Sequence, residues 1–242
     1  MKQKLVWADE FDYEGPPDLT KWAYQTGGHG WGNNELQYYT SRTAPEDANA
    51  YVSGGRLKIS LRREEFRGRE YTSARIISLA SWQYGRLDIS ARLPAGGGTW
   101  PAIWMLGSSI SELDWPACGE IDIMEHVGRS QDVVHFSLHS KLYNHMEDTH
   151  LTKTCLYPGV SDGFHLYSVD WEQDRVCFLF DGKKAAVWRN GEGGRAAGPD
   201  GWPFNAPFFL IMNVAFGGFF GGAHDDSCLP QAMEIEYVRV YQ

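Results

Sequence analysis

Apolar and polar residues alternate in five separated stretches: RLKISLR (56–62), GRLDISARL (85–93), VVHFSLH (133–139), RVCFLFDG (175–182) and MEIEYVRVY (233–241). A period of two places every second side chain on one face, so each stretch predicts a half-buried β-strand. PFFLIMNVAF (207–216) is apolar at consecutive positions, as a strand buried on both faces must be. No segment sustains a helical period. Asp181-Gly182 lies between two apolar runs and predicts a tight hairpin. Gly- and Pro-rich stretches at 94–98, 191–203 and 217–222 supply loops, and there is neither an internal repeat nor a low-complexity linker. The expectation is a single all-β domain over residues 1–242, a sandwich of two antiparallel sheets. A curved sheet in such a sandwich offers a groove lined by alternate residues, where a polymer can lie.

Composition narrows the partners. Hydrophobic residues make up 43% of the 242 and aromatics 14%, enough for a packed core, so disorder is excluded. With 31 acidic against 22 basic residues the formal charge is -9, which disfavours nucleic acid, anionic membrane and polyanionic substrates and suits a neutral partner. No apolar run approaches the 18 or so residues of a membrane span, and MKQKLVWADEFD is too short for a signal peptide's apolar region, so a mature or cytosolic product is expected. Cys118, Cys155, Cys177 and Cys228 allow three pairings, show no C-x-x-C metal spacing, and read equally well as isolated buried thiols.

The chemistry concentrates in GEIDIMEHVG (119–128), with Glu120, Asp122 and Glu125 within six positions. Glu120 and Asp122 share a strand face, but Glu125 falls out of phase. A pair of carboxylates of unequal pKa, about 5–5.5 Å apart, is the minimal equipment for cleaving a glycosidic bond with retention, whereas inversion needs about 6.5–9.5 Å. Four effective strand steps separate the Glu120 and Glu125 backbones by roughly 13 Å at about 3.3 Å each, and inward-leaning side chains can close that gap. Four steps from five residues require one extra residue. A β-bulge at Met124 supplies it and returns Glu125 to the face of the other two. Three like charges on one face repel, so one carboxyl keeps its proton near neutrality, as a general acid must. Asp122, between the two, is placed to tune its neighbours. Trp100, Trp104 and Trp115 lie just upstream and Trp22 and Trp31 near the N-terminus; two or three of the ten tryptophans are expected as sugar-stacking platforms, the rest as core.

WPACGEIDIMEHVG resembles the signature of glycoside hydrolase family 16 in its bulged form, E-x-D-x-x-E. The likeness extends through WADEFD, GGHGWGNNELQYYT, YTSARI, YGRLDISARLP, GTWPAIWMLG, FHLYSVDW, DGWPFNAPFFLIMNVAFGG and LPQAMEIEYVRVYQ. It is similar to the bacterial endo-β-1,3-glucanases (laminarinases) and their mixed-linkage relatives. The resemblance implies a β-jelly-roll with a substrate cleft on the concave sheet, Glu120 as nucleophile, Asp122 as its electrostatic helper and Glu125 as acid/base. It further implies that Trp100, Trp104 and Trp115 shape the sugar subsites, with Asn34, Arg75, His139 and Gln231 as hydrogen-bonding candidates. His139 reads equally as a rim residue without contact, and Arg75 as an ordinary surface charge.

No cofactor is implied for catalysis. A structural calcium is implied on the convex side, held by Glu10, a carbonyl near Gly55 and an acid before YVRVY, here Glu236. The resemblance also implies a monomer that acts on β-glucan polysaccharide and is secreted or periplasmic. Of two departures, the first leaves linkage preference open between 1,3 and mixed 1,3-1,4 chains and the second alters a stacking surface. HFSLHSKLYNHMEDTH replaces a shorter segment of typical laminarinases, and Phe219-Phe220 stand where relatives often have Asn-Trp. A transglycosylase and a β-glucan-binding module are the alternatives; the intact carboxylates argue against the module.

Overall fold

The computed structural model describes residues 4–242. In chain order the strands are β1 (Leu5–Asp9), β2 (Trp22–Tyr24), β3 (Tyr38–Tyr39), β4 (Ala50–Val52), β5 (Leu57–Phe66), β6 (Arg69–Ser73), β7 (Arg75–Trp82), β8 (Gly85–Arg92) and β9 (Thr99–Gly107). They continue with β10 (Glu120–His126), β11 (Val133–His139), β12 (Leu151–Leu156), β13 (His165–Glu172), β14 (Arg175–Phe180), β15 (Lys183–Arg189), β16 (Phe208–Phe216) and β17 (Gln231–Tyr241). A single helical turn, α1 (Gly218–Gly221), follows β16. Among the described residues no helix is long and apolar enough to cross a membrane.

The strands form two sheets packed face to face. One runs β15-β14-β13-β8-β17-β5-β6-β3, with β1 on β17 and β4 on β5; the other runs β12-β11-β10-β9-β16-β7-β2. Pairing is antiparallel except for the short β3–β6 contact, which is parallel. The alternation read from sequence is what the packing uses. Leu57, Ile59 and Leu61 of β5, Leu87, Ile89 and Ala91 of β8, and Val134, Phe136 and Leu138 of β11 all point into the core between the sheets. The Asp181-Gly182 turn joins β14 to β15 with φ of 48° and 74°, the double left-handed geometry of the favoured two-residue hairpin.

β16 is buried on both faces as its sequence demands. Leu210, Met212 and Val214 enter the main core. Ile211, on the opposite face, joins Leu106 and Cys118 in a second small cluster, with Trp104, Trp115 and Phe209 packed against it. That cluster anchors the segment from Gly107 to Gly119, which folds back over the outer face of the seven-stranded sheet and closes through Gly107 N–H to the Gly119 carbonyl (3.1 Å). The chain approaches so closely there that a Cβ on Gly107 would lie 2.0 Å from the Cys118 carbonyl oxygen, so the return that carries Trp115 requires glycine. All four cysteines are free thiols.

Candidate active site

β10 carries the expected irregularity. Against β11 its partners are Asp122 with Ser137 and Glu125 with His135, three steps matched by two. Against β9 they are Asp122 with Trp104 and Met124 with Ile103, so Ile123 is the residue skipped there. The extra residue is thus spread over Ile123 and Met124, both fully buried in the core. Two successive inward side chains reverse the alternation, and Glu125 returns to the outer face beside Glu120 and Asp122. All three line a cleft of about 950 Å³ that crosses the seven-stranded sheet.

The cleft floor is built from alternate residues of neighbouring strands: Trp100 and Trp104 on β9, His135 and His139 on β11, Asn213 on β16 and Arg75 on β7. Trp115 reaches in from the folded-back segment, and its indole N–H donates to Glu120 Oε2 at 3.0 Å. Trp100 donates in the same way to Glu125 Oε1 at 3.0 Å. Each outer carboxylate is therefore fixed by a tryptophan. His139 is 4% exposed, and its Nε2 lies 3.1 Å from Asp122 Oδ2 and 3.7 Å from Glu120 Oε1. It stands within the carboxylate cluster, not at the rim.

Burial is the largest influence on these carboxyls and raises the pKa of all three above the ordinary carboxylate range. Mutual repulsion adds to it: Asp122 and Glu125 push Glu120 up, and Glu125 pushes Asp122 up. His139 opposes the rise at Glu120 and Glu125, and the Trp100 N–H opposes it at Glu125. Groups this close titrate together, so their raised values belong to the cluster and not to any one carboxyl. Repulsion from its neighbours Asp122 and Glu125 adds to the burial of Glu120, so within this cluster a carboxyl holds its proton more readily than an isolated one does. Burial also lowers the pKa of His135 and His145 to about 4, so the cleft presents neutral imidazoles there.

The model of glycosyl hydrolases family 16 matches residues 37–239. The chain belongs to this family. A beta-glucanase of Rhodothermus marinus is 48% identical over 249 residues, covering 99% of this chain and 85% of the relative. The solved laminarinase of Rhodothermus marinus superposes with a TM-score of 0.93 at 48% identity, covering 99% of this chain and 97% of that one. A non-specific endo-β-1,3(4)-glucanase of family 16, crystallised with 1,3-β-D-cellotriosyl-glucose, gives a TM-score of 0.92 at 43% identity, covering 100% of this chain and 95% of that one.

Not every expected residue of the family 16 site reaches the cleft. Arg75 does: its guanidinium is sandwiched between Trp31 (4.6 Å) and Trp104 (4.7 Å), and its Nε donates to Gln25 Oε1 at 2.6 Å. Asn34 does not line the cleft. It is exposed at a left-handed φ of 56°, and that turn presents Asn33 and Glu35 instead. Gln231 is also elsewhere, accepting from Ala95 N–H and donating to the Cys228 carbonyl to tie two loops together. Of the five tryptophans singled out, Trp22 is core, 1% exposed, and the other four line the cleft.

The calcium set does not fit as it stands. Both oxygens of Glu10 accept from Arg239 at 2.8 Å, which already neutralises the carboxylate. Glu236 sits at a register shift of β17 and accepts from Ser90 Oγ at 2.8 Å. Gly55 occupies a left-handed turn with φ of 73°. A cation would have to displace a bidentate guanidinium. Among the described residues the one group of three or more acidic, His or Cys side chains close enough to share an ion is Glu120, Asp122 and His139, on the cleft floor.

The sequence reading missed Glu35 and Asn213. Glu35 is 4% exposed and accepts from Gln37 at 2.6 Å, Tyr39 at 3.0 Å and Asn33 at 3.3 Å. Asn213 accepts from the Trp104 indole at 2.8 Å and donates to the Tyr39 hydroxyl at 3.1 Å. A chain of hydrogen bonds thus runs from the Trp104 platform to Glu35 and fixes that side of the cleft. The signals were a lone polar residue in an apolar strand, and polar residues 35 and 37 alternating toward Tyr39.

Proposed function

We propose that this chain is a retaining endo-β-1,3-glucanase that also accepts mixed-linkage β-1,3-1,4-glucan. The observation that carries this reading is the return of Glu125, through the paired burial of Ile123 and Met124, to the face of Glu120, each carboxylate held by its own indole N–H. Glu120, ionised, attacks the anomeric carbon while Glu125 gives its proton to the departing glycosidic oxygen. The C–O bond to the leaving sugar breaks as the ester to Glu120 forms. Glu125, now ionised, takes a proton from water, and that water displaces Glu120 with a second inversion, so the product keeps the β configuration. Charge develops beside Asp122 and His139, which adjust the proton balance of the nucleophile.

The cleft crosses six strands, about 24 Å at the usual interstrand spacing of about 4.8 Å, room for several sugar rings lying across the sheet. Its aromatic faces match the apolar C–H faces of pyranoses. The likeness to a non-specific endo-β-1,3(4)-glucanase supports the wider linkage range. The chemistry needs side chains only, and neither a catalytic cofactor nor calcium enters this reading. The protein acts as a monomer outside the cytoplasm, where polymeric glucan is found.

Product analysis on laminarin, barley mixed-linkage glucan, cellulose and agarose tests the proposal. Oligosaccharides released from the first two, appearing initially as β anomers by NMR, are expected. Faster release from cellulose or agarose overturns the substrate class, and α anomers overturn the mechanism. Binding of laminarin without release of reducing ends would make the chain a binding module, and predominantly longer products a transglycosylase.

A further inference from the structure

A second concavity of about 340 Å³ lies beyond the Trp31 end of the cleft, lined by Thr26, Tyr38, Thr40, Ser41, Arg42, Phe66 and Arg67. The two hollows share a wall. β3 is two residues long, and successive strand residues face opposite ways. Tyr39 is fully buried against Trp31 (5.3 Å between rings) and the Glu35 network on the cleft side, while Tyr38 lines the second hollow. Gly27 joins them through an isolated antiparallel bridge to Tyr39. Its carbonyl accepts from the Trp31 indole at 3.1 Å, and its backbone pairs with Tyr39 in both directions, at 3.1 and 2.9 Å. That pairing sets Thr26 beside Thr40.

The lining has the chemistry of a sugar site. Tyr38 and Phe66 meet edge to face at 5.1 Å. Arg67, on the exposed turn after β5, lies 5.8 Å from the Tyr38 ring and 5.6 Å from Phe66, and donates to the Tyr38 hydroxyl at 3.3 Å. Its planar fork has five N–H donors, most of them left for a ligand. Thr26 and Ser41 supply hydroxyls that both donate and accept, whereas the buried Thr40 hydroxyl already donates to Asn49 Oδ1 at 2.6 Å. Arg42 packs over Phe66 at 5.2 Å, and its buried Nε has no hydrogen-bond partner. Its charge is already met by Glu64 and, at 3.9 Å, by Asp47. The hollow is therefore rich in donors without holding a concentrated positive charge, and the whole chain carries -9. A neutral, hydroxyl-rich ligand suits it better than a polyanion.

We infer that this hollow is an outlying glucan-binding site that takes a glucosyl segment of the chain whose neighbouring units occupy the cleft past Trp31. The inference rests on the glucanase reading. Two binding regions on one continuous polymer act together, so long chains gain affinity that short ones cannot.

The test uses the hydrolytically inert Glu120→Gln protein, with binding of laminarin and of laminaritriose measured by calorimetry. Two variants are added: Arg67→Ser removes the donor fork, and Ser41→Trp fills the hollow from an exposed position. Thermal melting confirms that each folds. Each variant is expected to weaken laminarin binding about three- to tenfold through loss of the second contact on one chain, with laminaritriose binding unchanged. Unchanged laminarin affinity, or equal weakening for both ligands, overturns the proposal. So does tighter binding of sulfated than of neutral laminarin that depends on Arg67, which would make the hollow an anion site. Failure of the Glu120→Gln parent to bind laminarin at all is a separate result: it removes the glucanase reading and this inference with it.

Discussion

Glu125 and Trp115 make opposite demands on the proton. In the proposed reaction Glu125 gives one up to a sugar leaving group, so Glu125→Ala is expected to lower turnover of laminarin by about 10²–10⁴-fold, the usual worth of a positioned acid. An aryl β-glucoside with an activated leaving group departs without that proton and should lose much less in its first step. Azide should then relieve the stalled glycosyl-enzyme and yield a β-glycosyl azide, which NMR distinguishes from the α product expected of Glu120→Ala. Near-parent hydrolysis of laminarin by Glu125→Ala would remove Glu125 from the reaction. Trp115 acts on the other carboxylate, since its N–H bond to Glu120 Oε2 favours the charged form of the proposed nucleophile. Trp115→Phe keeps most of the aromatic face and removes that donor. Glu120 then holds its proton to higher pH, so the acid limb of the kcat/KM profile is expected to move upward. A limb that stays in place, or moves to lower pH, would show that this hydrogen bond does not tune the nucleophile.

Strand β10 shows how far a sequence can be read. Its period of two placed Glu120 and Asp122 together without help, but Glu125 could be placed only by assuming a bulge, because alternation by itself puts it in the core. The structure resolves that conflict by burying Ile123 and Met124 in succession. β17 shifts phase the opposite way between Ile235 and Tyr237: Glu236 and Tyr237 lie outside the core in succession, so Met233 and Ile235 face inward and then Val238 and Val240. A regular strand would leave Met124 in the cleft beside Asp122, where truncation costs little. Buried as it is, Met124→Ala is expected to cost about 2–5 kcal/mol in urea unfolding, and a loss below about 0.5 kcal/mol, typical of exposed positions, would contradict the bulge. Other parts of the site were not legible because their partners are remote. Asn213 meets Trp104 across 109 positions and Tyr39 across 174. Asn34 and its neighbour Asn33 are alike in sequence, and only the left-handed turn decides which one reaches the cleft.

At the scale of the whole molecule, the active site is a stability cost that pH controls. The fold gathers three carboxyls on one buried face, and burial first, then mutual repulsion, raises their pKa values above those of the unfolded chain. Between the ordinary carboxylate range, about 4, and the raised native values, the folded chain binds more protons than the unfolded one. Stability contributed by these groups is therefore fully present below the unfolded pKa and is lost as pH rises through that window. Glu120→Gln removes a group that must otherwise ionise in a buried site, while retaining its size and a hydrogen-bonding amide for Asp122. It is expected to melt higher than the parent at pH 7 by a few degrees, since about 1 kcal/mol moves Tm by roughly 2–4 °C in a chain of this size. The difference should shrink toward zero near pH 4. Calcium provides the contrasting control: with Glu10 held by Arg239, millimolar calcium and exhaustive chelation are expected to give the same Tm, and a calcium-dependent rise would mean that the ion displaces the guanidinium. A Glu120→Gln protein that melts lower than the parent at pH 7, or whose advantage grows as pH falls, would show that the cluster is not held under electrostatic strain, and would take away the physical basis for a carboxyl that keeps its proton until a sugar requires it.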